Sequence, residues 1–186
     1  GETGVQHELF DIVGHMNAGI AASDDPDERH QLAELDHIAG IRALSASAYA
    51  PAHTYLQAAR TQLGEDGWRT RTGLMRAVTV GCARAAYLTG NIEQMEILVD
   101  EAMGRAVSVE QRVRALRVRI DARIAMNRTA EAIQTGLAAL ELLGVKLPED
   151  PVESDVAEGL GATFQRIGTV DLQALLRRPS PEDPET

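Results

Sequence analysis

The stretch AAYLTGNIEQMEILVDEA, residues 85–102, decides the fold. An alanine-rich helical pattern is interrupted there by Gly90 and Asn91 and resumes at once. Glycine adopts the left-handed conformation that ends a helix without steric cost, and asparagine can cap the helix that follows. A phosphate-binding loop would need glycines at fixed spacing, a lysine and a preceding strand, and this stretch offers neither lysine nor strand. The stretch therefore predicts a corner between two helices.

The corner at Gly90 has a copy further along the chain. Asn127 takes the place of Gly90 at a distance of 37 residues, and a helical pattern follows it as well. Aligning the two stretches brings small and apolar residues opposite one another, which indicates an internal repeat of helix pairs. The aligned positions are Met95 with Ala132, Val99 with Gly136, and Ala102 with Ala139, and an earlier copy would place Ala52, Leu56 and Ala59 there.

Apolar residues recur every three or four positions along most of the chain, which is the spacing of one helical face. Pro51 must lie in or near the first turn of its helix, because a proline deeper inside would cost about 3 kcal/mol. Ser45 or Ser47 is the candidate cap of that helix, and Gly81 is expected to mark a close approach between helices. No stretch alternates as a strand does, so the predicted class is all-α. The predicted helices cover residues 5–21, 26–43, 47–63, 69–88, 92–106, 109–126, a seventh through Leu140, and 154–168.

Composition excludes several classes of function. A net charge of -10 repels nucleic-acid phosphates, and aromatic residues, at 3% of the chain, leave few platforms for stacking bases. Cys82 is the single cysteine, which excludes an intrachain disulfide and fits a reducing compartment. The longest apolar runs fall far short of the roughly 20 residues that span a bilayer. We therefore expect a cytoplasmic protein that binds neither nucleic acid nor membrane.

Seven arginines lie in the central part of an otherwise acidic chain. One interpretation is a solvated helix surface whose guanidinium groups pair with Glu110, Asp121 and a neighbouring acidic helix. The other is a docking patch for an acidic partner domain. The arginines are Arg105, Arg112, Arg114, Arg117, Arg119, Arg123 and Arg128.

The histidines and the cysteine do not occur in the sequence patterns that catalysis or metal binding requires. The five histidines do not show the zinc spacing His-Glu-x-x-His, and Cys82, on an apolar stripe, is expected to be buried and unreactive. The larger aromatic side chains are expected to wedge between helices. We therefore predict no catalytic, cofactor-binding or metal-ligating residue. The histidines are His7, His15, His30, His37 and His53, and the aromatic residues are Tyr49, Tyr55, Trp68 and Tyr87.

Helix pairs with a glycine or asparagine corner, and small residues on the second helix, resemble the tetratricopeptide repeat. The corners lie 37 residues apart, against about 34 in that repeat. The resemblance implies a right-handed solenoid of stacked antiparallel helix hairpins over residues 1–168. Residues 169–186 are expected to form a short helical segment and an acidic, proline-rich linker.

A second resemblance covers nearly the whole chain through an ordered series of blocks. In order they are LFDIVGHMNAGI, ERHQLAELDHIAGIRALSASAYAPAHTYLQAA, EDGW, AAYLTGNIEQME and EAIQTGLAALELLGVKLPEDP. Together they resemble the helical region that follows the AAA/STAND-type ATPase module of large bacterial signalling proteins, which also carry a serine/threonine-kinase-like domain, a GAF sensor domain and often a histidine kinase.

This second resemblance implies a scaffold or relay module without catalytic residues of its own. Its expected partners are the flanking ATPase, kinase and GAF-type domains or another protein. We expect the chain to be a piece of a longer protein, because it begins at Gly1 and ends in RRPSPEDPET. An alternative function is a regulatory domain that senses a small molecule in the solenoid groove.

Overall fold

A computed structural model describes residues 13–17, 25–148 and 150–168. Residues 13–17 are helical, and these ranges contain further helices and no strand. The all-α class predicted from the sequence is confirmed. The helices are α1 (Pro26–Ser45), α2 (Tyr49–Leu63), α3 (Gly67–Thr70), α4 (Thr72–Leu88), α5 (Ile92–Gly104), α6 (Val109–Ala125), α7 (Thr129–Leu142) and α8 (Glu153–Gly168).

Three short loops turn on one residue with a positive backbone φ angle. These residues are Ser47 at 59°, Gly90 at 85° and Asn127 at 58°. At the central corner the Asn91 N–H donates to the Ala86 carbonyl at 2.8 Å, which satisfies a carbonyl group left free at the end of α4. The equivalent hydrogen bond closes the other two corners. The corner predicted at Gly90 and its copy at Asn127 are confirmed.

Each corner joins a leading helix to a trailing helix: α1 to α2, α4 to α5, and α6 to α7. The positions five, nine and twelve residues after each corner turn inward, and all of them are buried except Gly136, which is half-buried. The repeat register predicted from the sequence is confirmed for all three pairs. These positions are Ala52, Leu56, Ala59, Met95, Val99, Ala102, Ala132, Gly136 and Ala139.

The pairs pack in chain order. The trailing helix α2 contacts its own leading helix α1 and also α4, the leading helix of the next pair, and α5 bridges α4 and α6 in the same way. Neighbouring leading helices touch as well, since α4 contacts both α1 and α6. Each pair therefore packs against the pair before it in the chain.

A leucine wedged between two glycines fixes the first two pairs. A Cβ atom added at Gly40 would lie 2.5 Å from Leu56 Cγ, and one added at Gly81 would lie 3.0 Å from Leu56 Cδ2. Since real Cβ atoms do not come as near as the first distance, a side chain at position 40 would force Leu56 or α1 to shift. The close approach predicted at Gly81 is confirmed.

The cap predicted for the helix over residues 47–63, which is α2 in the structure, is wrong. The helix begins at Tyr49, and its N-cap residue, Ala48, has no side chain that could cap it. Ser47 is instead the left-handed corner residue, and the Ser45 hydroxyl donates back to the Ile41 carbonyl at 3.0 Å within α1. The sequence analysis missed that a serine can take the place that Gly90 and Asn127 hold in the other corners.

The helix predicted over residues 69–88 is divided in two. The single turn α3 ends at Thr70, and Arg71 leaves the helical region with φ at -136° before α4 begins. The break allows α3 to turn Trp68 inward, where the indole is 8% exposed. Burial of this large aromatic surface offsets the interruption of the helix.

The last helix differs from the others because no residue of α8 is buried. Its bounds, Glu153–Gly168, agree with the predicted 154–168. The predicted linker at 169–186 and most of the predicted first helix, 5–21, lie outside the described residues. Within those residues, no helix is long and apolar enough to cross a membrane.

Candidate functional site

A polar cluster joins the first pair of helices to the second. Glu101 on α5 accepts from Arg60 Nη2 at 2.7 Å and from the Trp68 indole N–H at 3.0 Å. The Arg105 guanidinium lies 5.4 Å from the centroid of the same indole ring, within the range of a cation–π contact. One carboxylate therefore connects α2, α3 and α5.

Cys82 lies under this cluster and is fully buried. Loss of solvent raises the pKa of its thiol to about 12, opposed by the charge of Arg60 and assisted by that of Glu101. A thiol that stays protonated is neither a good nucleophile nor a metal ligand. The predicted burial of Cys82 is confirmed.

A second polar cluster contains the buried carboxylate of Asp36. It accepts from Asn17 Nδ2 at 2.8 Å and from Gln62 Nε2 at 2.9 Å, which ties residues 13–17 and α2 to α1. Burial raises the pKa of Asp36, while the hydrogen bonds from Asn17 and Gln62 lower it in part. The Gln62 Oε1 atom is buried and has no hydrogen-bond partner among the described residues.

Several of the central arginines are held by contacts within the fold. Arg119 pairs with Glu96 and Asp100 on α5, at 2.6 Å in both cases. Burial disfavours the charged guanidinium, but the two carboxylates outweigh it and raise its pKa. Arg123 bonds to Thr135 and the Glu131 carbonyl on α7. The ion pairs predicted with a neighbouring acidic helix are confirmed for Arg119. Arg128 pairs with Glu131, and Arg105 lies over the Trp68 ring instead of pairing with a carboxylate there.

Arg114, together with Arg76 and Arg84 on α4, lines a groove built by the three leading helices. We call it the basic groove; its cavity is about 270 Å³. No trailing helix lines it, so it runs along one side of the array. Its lining residues are His37, Ile41 and Leu44 on α1, Arg76, Ala77, Val80, Gly81 and Arg84 on α4, and Gln111 and Arg114 on α6.

The basic groove has three guanidinium groups and no carboxylate among its lining residues. Arg84 and Arg114 are exposed, whereas the Nε atom of Arg76 is buried and has no acceptor among the described residues. Burial lowers the pKa of His37, so the arginines supply the charge at neutral pH. Ile41, which is 40% exposed, adds an apolar surface beside them.

Sequence reasoning found one of the three groove arginines. Arg114 belongs to the predicted central cluster, but Arg76 and Arg84 come from an earlier repeat and were missed. The corner register is not a sufficient signal, because the position six residues before the corner is Ile41 or Arg84 in the first two pairs but Asp121, which does not line the groove, in the third.

The remaining candidates stay apart from one another. His7 lies outside the described residues, His15 is exposed, and no group of three or more histidine, cysteine or carboxylate side chains in the described part of the chain could hold a metal ion. The aromatic residues pack as predicted: Trp68 is buried, Tyr49 and Tyr87 pack against the main core, and Tyr55 packs against a smaller cluster.

The helix pairs define the molecule as an all-α protein, and arginines from α4 and α6 line its groove. Comparison adds one relative: the hybrid signal transduction histidine kinase G of Dictyostelium discoideum is 27% identical over 107 residues. The match covers 53% of this chain and 3% of that protein, so the chain spans a small part of the relative. No protein-family model matches the chain, and no solved structure matches it.

Proposed function

We propose that this chain is a tetratricopeptide-like module that mediates protein contacts within a multidomain signal-transduction protein. The observation that carries the proposal is the repeated register, in which three corners are followed by inward-facing positions at the same intervals. Arrays of this kind present a long continuous surface and bind partners along it. A right-handed superhelix of the tetratricopeptide type is part of the proposal.

The signalling context is supported by the similarity to the histidine kinase of Dictyostelium discoideum. The matched segment is 3% of that protein. A match of this extent suits one module among many in a large protein. The flanking domains that the sequence resemblance implies, an ATPase or kinase before the module and a GAF-type sensor after it, are the partners that we propose.

The proposed role requires no bond-making step in this chain. Its one thiol is buried with a raised pKa, and the strongest polar clusters, around Glu101 and Asp36, are occupied in joining helices. A survey of hydrolase and transferase activities on the purified chain tests this part of the proposal. Catalytic activity that remains with the chain after further purification would contradict it.

The relay role can be tested in the longer protein with its flanking domains. Gly90→Pro should disrupt the corner of the second pair, because proline has no N–H to donate and a φ angle fixed near -65°. We expect autophosphorylation by a kinase domain to continue, while cross-links between this module and the flanking domains disappear. Unchanged cross-links would contradict a role of the array in those contacts.

A second candidate function is small-molecule sensing, favoured by a cleft of about 520 Å³ beside the Asp36 cluster. Gln62, Arg29, His30 and Asp66 are among its lining residues, and its volume lies within the range of ligand sites. Isothermal titration with cell metabolites distinguishes the two functions, because saturable binding of a small ligand that Gln62→Leu abolishes would favour the sensor.

A further inference from the structure

We infer that the helix α8 pairs in antiparallel orientation with the α8 helix of a second copy of this chain. The inference goes beyond the proposed function, because that function concerns contacts with other domains and sets no number of copies. Such a pair would make the chain a symmetric dimer.

An apolar stripe runs along α8 and is open to solvent. Its members recur every three or four positions, which gathers them on one face of the helix, and none of them is buried. They are Val156, Leu160, Phe164 and Ile167, each more than half exposed. Among the described residues of α1 to α6, such exposure occurs at single positions, as at Ile97 on α5. A contiguous apolar patch of several side chains is typical of an interaction site.

The same stripe forms one wall of a cavity of about 620 Å³ between α7 and α8. Val156 and Leu160 line the cavity from α8, and Ile133 and Leu137 line it from α7. The surface therefore has a ridge, which is the stripe of α8, and an apolar groove beside that ridge. A surface with both features can receive an identical copy of itself, as a two-fold symmetric interface requires.

The distribution of charge favours an antiparallel copy. Glu153 and Asp155 lie in the first turn of α8, and Arg166 lies in the last. Since Glu153 and Ile167 lie seven residues before and after Leu160, reversing a second α8 about Leu160 brings Glu153 of each copy to the end that contains Arg166 of the other. The two helix dipoles then oppose each other as well. A parallel copy would place like charges together, and the excess of acidic residues on α8 disfavours an anionic lipid surface.

The middle of α8 leaves room for a close approach. Gly159 and Gly161 flank Leu160, and a Cβ atom added at either glycine would meet nothing within 4 Å. Glycine inside a helix lowers its stability relative to alanine, but at a crossing it allows two axes to approach to the lower end of the usual range of about 8–10 Å. The point about which two antiparallel copies would be related is therefore flanked by the smallest residues.

The apolar surface is large enough for a stable dimer. With 16 residues α8 is about 24 Å long, and a second copy in the cavity would contact α7 as well as α8. Besides the four side chains of the stripe, Ile133, Leu147 and Val152 are more than half exposed there. At about 100 Å² of apolar surface from each side chain, the total approaches the roughly 800 Å² per partner of a standard interface.

Sedimentation equilibrium of the whole chain over a range of concentrations tests the pairing. We expect reversible association from one chain of 20.0 kDa to two. Leu160→Glu should weaken this association by about 100-fold or more, since it places two ionised carboxylates opposite each other at the centre of an apolar interface. Because Leu160 is exposed in the single chain, the variant should keep the melting temperature of the natural monomer.

Ile97→Glu is the matched control. Ile97 is a similarly exposed aliphatic residue, but it lies on α5 and does not line the cavity. The association of this variant should stay within about twofold of that of the natural chain. Equal losses in the Ile97 and Leu160 variants would overturn the inference, because they would indicate a general effect of added charge.

Cysteine cross-links test the orientation, since the natural Cys82 is buried. In an antiparallel pair Leu160→Cys places two thiols near each other, whereas Glu153→Cys places them roughly 20 Å apart, beyond the reach of a disulfide. We expect oxidation to link the Leu160→Cys variant and to leave the Glu153→Cys variant unlinked. Linkage of both variants would indicate a parallel pair and overturn the inference.

Other occupants of the stripe give distinct results. A natural chain that stays monomeric, and whose Leu160→Glu variant melts at a lower temperature, packs α8 within one chain, and the inference is then wrong. It is also wrong if the dimer forms only after Leu175 and Leu176 are changed to glutamate, because the chain's own terminal segment then covers the stripe. A chain that stays monomeric while Gly90→Pro still removes cross-links in the longer protein would refute the inference and leave the proposed function intact.

Discussion

Asp36 has a carboxylate that is 0% exposed and hydrogen-bonded only to the amide groups of Asn17 and Gln62 in the described structure. Its pKa is raised, chiefly by burial. The folded state therefore holds a proton that the unfolded state has already released, over a window that begins near pH ~4. As the pH rises through this window, the charged carboxylate lowers the stability of the fold.

We expect Asp36→Asn to remove this dependence. The stability of the variant relative to the natural chain should rise with pH above about 4, since the neutral amide has no proton to lose. The Gln62 Oε1 atom has no partner at present, so a rotated Gln62 side chain could accept a hydrogen bond from the amide group that the substitution introduces. Thermal denaturation from pH 4 to 8 measures the effect. Glu158→Gln on the exposed helix α8 is the control, and a difference that stays constant with pH would contradict the prediction.

Glu101 is a carboxylate whose loss should be costly. Its side chain is 23% exposed and that of Arg60 is 22% exposed. Glu101→Gln leaves a half-buried guanidinium without its counter-charge, so we expect a loss of about 1–3 kcal/mol in the free energy of unfolding. Chemical denaturation measures it.

The matched control is Glu34→Gln, which breaks the pair with Arg71. Those two side chains are 50% and 44% exposed, so solvent screens the interaction and the loss should stay below about 1 kcal/mol. If both substitutions cost the same, the cluster around Glu101 does not join the pairs as we describe.

At the scale of the helices, Gly40 and Gly136 differ in the room that each leaves for a side chain. Gly40→Ala places a Cβ atom 2.5 Å from Leu56 Cγ, and the overpacking should cost about 1–3 kcal/mol. A Cβ atom at Gly136, in the middle of α7, meets nothing within 4 Å. Gly136→Ala should therefore stabilise the fold by up to about 1 kcal/mol through helix propensity. Chemical denaturation of both variants checks the signs, and a gain for Gly40→Ala would contradict the wedge of Leu56.

Two substitutions at the corners should change the stability of the fold in opposite directions. Ser47 has a φ angle of 59° and Gly90 one of 85°, a conformation that costs an L side chain about 1–2 kcal/mol. Ser47→Gly should therefore raise stability by up to about 1 kcal/mol, and Gly90→Val should lower it by about 1 kcal/mol or more. Differential scanning calorimetry measures both, and shifts of the same sign would contradict the shared geometry of the corners.

Local signals in the sequence predict most of the helices. Gly90 and Asn127 mark corners through their own conformational preferences, and the spacing of Met95, Val99 and Ala102 defines the buried face. The Ser47 corner escaped prediction because serine favours caps, and only the pairing of α1 with α2 holds it in the left-handed region. The break at Arg71 escaped prediction because it depends on where Trp68 is buried.

The basic groove was less predictable than the helices. Its arginines belong to two repeats, and their proximity depends on how α4 packs against α6. Arg114 came to notice through its neighbours in sequence, whereas Arg76 and Arg84 have no such neighbours. The internal pairing of Arg119 also depends on packing, so a run of arginines could not show which members are used within the fold.

At the scale of the whole molecule, the linear packing predicts uneven local stability. The helix α4 contacts helices on both sides, whereas α8 buries no residue. In a single chain, opening free energies should therefore be highest for amides of α4 and α5 and near zero for those of α8. Hydrogen exchange with mass spectrometry measures this gradient, and uniform protection across the array would contradict it.

The half-buried Gly136 makes the last pair of helices differ from the first two. In the first two pairs the ninth position after the corner projects a side chain, Leu56 or Val99, into its surroundings. On α7 the same position has no side chain, and a Cβ atom added there would meet nothing within 4 Å. A helix engineered to pack beside α7 would therefore find room at Gly136 for a side chain of its own.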